Sequence, residues 1–168
     1  MIAKRTEVWR SSFLAQEVTV ARWGEDGRPV LLFPTAGGDA EEVERFRMVD
    51  ALAPLVRAGR IQLFSCDSVP GQCWVSDAYP ASHCSWVQNR FDEFLYFELA
   101  PYMRHLAGER NEILTAGASL GAFYAQRFWL GKKSYTTVSG KGDAGVHPQL
   151  PSTFRKAVYA VAGIWTLF

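Results

Sequence analysis

Between Glu17 and Trp23 polar and apolar residues alternate, which is the period of a strand with one wet face. With the residues before it, from Glu7, this stretch predicts two short opening strands. Gly24 to Gly27 is a turn by composition. Pro29 to Pro34 is then almost unbroken apolar sequence, suited to a central strand buried on both faces. A small-residue loop, Thr35 to Asp39, leads into a helix from about Ala40 to Ala58. Asp39 is placed to cap it, and Glu41, Glu42 and Glu44 put negative charge where the helix dipole favours it. Phe46, Val49, Leu52, Leu55 and Val56 recur at helical spacing, and Gly59 is the stop.

The second half continues the alternation. Arg60 to Cys66 reads as a strand, and the stretch from Asp67 to about Cys84 as a loop. A long helix is predicted from Ser85 to Leu106, kinked at Pro101. Asn111 to Gly117 is the next strand and Gly121 to about Leu130 the next helix. Residues 132–151 are polar and rich in Gly, Ser and Thr, a loop insertion by composition, and Arg155 to Gly163 reads as a last strand. This order predicts one α/β domain over residues 1–168, a three-layer α/β/α arrangement with a mostly parallel sheet.

Composition narrows the function classes. With a net charge of +1 and no block of Lys or Arg, the chain lacks the basic stripe of a nucleic-acid binder or a membrane-surface protein. No apolar run reaches the roughly 18 residues of a membrane helix, and the polar N-terminus does not read as a signal peptide, so the expected location is cytoplasmic. Cys66, Cys73 and Cys84 are an odd number without a CxxC pair. They predict neither a disulfide framework nor a zinc site, but one buried strand cysteine and two loop thiols. No cofactor or metal is expected, and the oligomeric state is not legible.

One motif carries chemistry. Gly117–Ala118–Ser119–Leu120–Gly121 is a Gly-x-Ser-x-Gly set between a predicted strand and a predicted helix, the context of a nucleophile elbow. Such a turn holds the serine hydroxyl out from the sheet edge, and its glycines give the backbone room. Ser119 is then the candidate nucleophile, and the amide of Leu120, at the helix N-terminus, one oxyanion donor. The second donor belongs on the loop after an earlier strand, where Thr35 or Ala36 is placed to supply it. Two blander readings stay open: a Gly/Ser-rich turn without chemistry, and a Thr35–Gly38 loop that cradles a phosphate.

Three segments together resemble the α/β-hydrolase family that includes esterase D-like enzymes and the mycolyltransferases. They are Val30 to Thr35, Gly59 to Val69, and Thr115 to Phe123. The likeness returns at His147–Pro148 and at Phe154 to Val158. It implies a Ser–Asp/Glu–His triad acting on small-molecule esters, by hydrolysis or acyl transfer. The chain departs from the family in two ways. Residues 132–146 look inserted, and the chain ends at Phe168, before the family's segments that carry the acid and the histidine.

The resemblance therefore implies an incomplete triad in this chain. Asp143 and His147 follow Ser119 in the family's chain order and are the substitutes available, as acid and base. His83 is a further candidate, and His105 reads as a helix-end residue. Asp67, past a strand's C-terminal end, could orient the site's loops or cap a turn. Trp74 and Tyr79 could wall an acyl pocket. The expected function is a serine-dependent carboxylic ester hydrolase or acyltransferase. The alternative is a catalytically inactive fragment or relative that serves as a binding module.

Overall fold

A computed structural model of the chain describes residues 2–108 and 112–136. Among the described residues five strands form one sheet: β1 (Lys4–Arg10), β2 (Glu17–Trp23), β3 (Arg28–Phe33), β4 (Ile61–Cys66) and β5 (Leu114–Gly117). Their spatial order is β1-β2-β4-β3-β5. β1 pairs with β2, and β2 with β4, antiparallel, while β3 pairs with both β4 and β5 parallel. The sheet is thus mixed, which corrects the expectation of a mostly parallel one. Alternation says nothing about the direction of the partner strand, and β2 also lacks the wet face expected of it: Val18 and Val20 enter one core, Ala21 and Trp23 the other. β1 is exposed almost throughout, as an antiparallel edge strand can be.

β3 lies between β4 and β5, and its side chains serve two cores. Leu31 and Phe33 join Phe64, Phe91, Phe94 and Tyr124, whereas Val30 and Leu32 join Val43, Val49 and Val56. Successive residues of a strand point to opposite faces, so this near-continuous apolar run fills both.

The helices depart from expectation in four places. The single helix predicted over Ala40 to Ala58 is two, α1 (Glu42–Arg45) and α2 (Met48–Arg57), broken where Arg47 takes a left-handed φ of 65°. The loop after Asp67 contains a helix, α3 (Val69–Trp74), with Pro70 in its first turn where a missing N–H costs nothing. The long helix is α4 (Ala81–Phe94), a π-helical turn (Leu95–Leu99) and α5 (Ala100–Ala107). The wider π turn directly precedes Pro101, which has no amide to continue an α ladder. Finally α6 runs from Leu120 to Thr136, into the start of the expected 132–151 insertion. The rest of that stretch and the strand expected over 155–163 lie outside the described residues.

The cysteines also correct the sequence reading. Cys73 on α3 and Cys84 on α4 form a disulfide, with Cα atoms 5.5 Å apart, and Cys66 alone is free and buried. An odd count is compatible with one bridge plus one buried thiol. What sequence could not show is that the supposed loop is a helix lying against the next one.

Candidate active site

The β3–β5 register sets two chain turns side by side. Phe33 is paired with Gly117, the last residue of each strand, so the segments that follow leave the same sheet edge at the same level. On the β5 side the chain turns through Ala118 and Ser119 into α6. Ser119 has a φ of +55°, a left-handed conformation that L side chains adopt at a cost, and its side chain is exposed. The turn closes with hydrogen bonds from the Gly121 amide to the Ala118 carbonyl (2.9 Å) and from the Ala122 amide to the Ser119 carbonyl (3.1 Å). The Leu120 amide opens the helix and so has no intrahelical acceptor. A Cβ on Gly121 would stand 2.5 Å from the carbonyl oxygens of both Phe33 and Pro34. The elbow is therefore packed backbone to backbone against the start of the neighbouring loop.

That loop is held by two carboxylates. Glu42 is buried and accepts from the Thr35 amide (2.7 Å) and the Thr35 hydroxyl (3.1 Å). Asp67 accepts from the Ala40 amide (3.0 Å) through one oxygen and from the Thr19 amide (2.8 Å) through the other. The Ser68 amide donates to the Gly38 carbonyl (3.0 Å). The Thr35 amide is committed to Glu42, so of the two loop donors foreseen only Ala36 is left without an acceptor among the described residues. Both Asp67 oxygens tie backbone segments together, in keeping with the loop-orienting place foreseen for it. Asp39 is not the cap expected of it: α1 has Glu41 at its N-cap, and Asp39 accepts from the Glu41 amide (2.9 Å) in the turn before the helix.

Around the elbow the surface is apolar. Val75, 64% exposed, flanks Gly37 of the loop, and Phe123, one turn into α6, is 42% exposed beneath the Arg127 guanidinium. Trp74 is half exposed at the end of α3. Tyr79 stacks on His83, which stacks in turn on Trp86 (centroids 5.1 and 5.9 Å), so that imidazole is occupied in an exposed aromatic row. On the opposite side an apolar cleft runs below Gly117 and Ala118, lined by Leu32, Phe33, Val43 and Phe46. It borders the elbow without including Ser119. Beneath the site, burial pushes the hydroxyl pKa of Tyr124 and the thiol pKa of Cys66 upward, which keeps both groups protonated and inert.

Among the described residues no side chain hydrogen-bonds the Ser119 hydroxyl, and no group of three or more His, Cys, Asp or Glu is arranged to hold a metal. His105 lies in the last turn of α5, where a cation complements the helix dipole. His147 and Asp143 lie outside the described residues. Sequence reasoning missed Glu42 and Val75. Three glutamates crowd the start of α1, and nothing in their spacing marks Glu42 as the one turned inward. Val75 was hidden by two more conspicuous aromatics.

No family model matches the chain. Among solved structures it is similar to a ferulic acid esterase (TM-score 0.59, 15% identity, 79% of this chain and 56% of that one). It is similar to a cold-adapted esterase from an Arctic intertidal metagenomic library (0.58, 16%, 79% and 57%). A third likeness is to an S-formylglutathione hydrolase from Agrobacterium tumefaciens (0.56, 16%, 77% and 53%). At these identities the likeness is one of fold, and the chain spans about half the length of the structures it matches. By sequence, 50 residues are 38% identical to a ferric transport system permease protein of Haemophilus influenzae, over 30% of this chain and 8% of that protein. No described helix is long and apolar enough to cross a membrane.

Proposed function

We propose that the chain carries the nucleophile half of a serine-dependent carboxylic ester hydrolase, or acyltransferase, built as a three-layer α/β-hydrolase. The observation that carries this reading is the backbone of Ser119. A non-glycine residue at positive φ, exposed in a strand-to-helix turn, is strain kept in place by the packing around Gly121. Strain of this kind clusters at reacting groups, and the Gly-x-Ser-x-Gly pattern places it on a hydroxyl. The fold of the solved esterases is consistent with it.

In the proposed reaction the Ser119 oxygen attacks the ester carbonyl carbon while a base takes its proton. The carbonyl oxygen gains negative charge and is met by the amides of Leu120 and Ala36. Collapse expels the alcohol, which recovers the proton, and water or a second alcohol then takes the acyl group from Ser119. His147 and Asp143 are the base and acid available within the chain. The substrate is a small-molecule ester whose apolar part would lie against Val75, Trp74 and Phe123.

A second reading is a scaffold that binds without turnover, in keeping with a chain that spans about half the length of the esterase structures it matches. Turnover of p-nitrophenyl acetate by the chain and by Ser119→Ala separates the two. Activity lost in the variant supports the esterase. Equal rates in both proteins, or none in either, support the scaffold.

A further inference from the structure

We propose that Glu42 is a positioning residue that fixes the oxyanion loop by holding Thr35, so that the adjoining Ala36 amide is presented as a donor beside the elbow; this rests on the esterase reading above.

The argument starts from a cost. Glu42 is only 8% exposed, and a carboxylate withdrawn from water is tolerated only when strong donors replace the lost hydration. Both donors come from one residue, Thr35, through its amide and its hydroxyl. The space is made by Gly38, where a Cβ would overlap the Glu42 carboxyl group. The Gly38 amide closes a turn onto the Thr35 carbonyl (3.1 Å), and the Gly38 carbonyl accepts from Ser68. The loop from Thr35 to Gly38 is thus wrapped around the Glu42 carboxyl group, with the Thr35 and Gly38 amides engaged and those of Ala36 and Gly37 left without an acceptor among the described residues. An anchor placed one residue before a donor controls its direction. A bond from an amide to a charged acceptor is stronger than a neutral one and keeps the loop from turning the Thr35 amide outward in competition with Ala36.

Glu42→Gln tests this with two readouts. The neutral side chain keeps the volume but weakens both bonds. Amide hydrogen exchange, followed by NMR, should speed up about 10-fold or more at Thr35 and Gly38 while β3 amides hold their wild-type rates. In ester turnover kcat should fall about 10- to 100-fold with KM little changed, less than the loss expected from deleting an oxyanion donor outright. Thr35→Val, which removes only the hydroxyl bond, should show the same pattern more weakly, and it supplies the readout should Glu42→Gln fail to fold. Unchanged exchange at Thr35 overturns the proposal whatever the activity. Faster exchange with unchanged kcat overturns the positioning role and leaves a structural tie. A folded wild-type chain with no turnover sinks the esterase reading, and this role with it, which the exchange data alone would not do.

Discussion

Gly121 lies so close to Phe33 that a Cβ on the glycine would stand 2.5 Å from the Phe33 carbonyl oxygen. That contact joins the start of α6 to the end of β3, two segments that sequence separates by most of the domain. It accounts for the second glycine of the Gly-x-Ser-x-Gly by packing alone. Gly121→Ala is therefore expected to destabilise the fold by about 3 kcal/mol, in the upper range for overpacking, because the obstacle is backbone that cannot swing aside. Urea denaturation measures it, and a loss below about 0.5 kcal/mol would mean that the elbow does not rest on β3 in this way.

Ser119 should behave in the opposite sense. Its φ of +55° costs energy that glycine would not incur. Ser119→Gly is expected to be more stable than Ser119→Ala by about 1 kcal/mol, after allowing for the greater freedom of glycine in the unfolded chain. An alanine variant as stable as the glycine one would show that the turn is relaxed.

The cysteines give a counting experiment. The chain has three, of which Cys73 and Cys84 are bridged and Cys66 is buried. A thiol reagent should find none in the native protein, one after denaturation, and three after denaturation with reduction. Three without reductant would mean that the bridge is not formed.

Acid stability should depend on Glu98. Burial alone would raise its pKa, but hydrogen bonds from the Ser12, Trp9 and Ser11 side chains and the Ser12 amide outweigh this and hold it below the usual carboxylate value. A carboxylate with a depressed folded pKa stabilises the protein above its unfolded pKa, about 4.3, and that contribution is lost as the pH falls through the folded value. Glu98→Gln should thus lower the urea midpoint at pH 7, and the gap from wild type should close below about pH 4. A gap that stays constant to pH 3 would contradict this.

Much of the site was legible because it depends on local sequence. The strand before the Thr35 loop is marked by its almost unbroken apolar run, and the elbow by its two glycines. The Phe33–Gly117 pairing, which makes the loops neighbours, is a long-range fact with no local signature. The same holds for the antiparallel partners of β2 and for the Cys73–Cys84 bridge, which depend on how elements meet rather than on what they are. The engagement of the Thr35 amide is of the same kind. Whether an amide is free depends on a carboxylate seven residues away that folds back on it.

The central claim is that Ser119 is an activated nucleophile. Its most direct test is labelling of the folded chain with a fluorophosphonate, with the modified residue mapped by mass spectrometry and Ser119→Ala beside it. The account predicts a single adduct on Ser119 that is absent from the variant. A cooperatively folded chain that takes no label, or takes it on another residue, would contradict it.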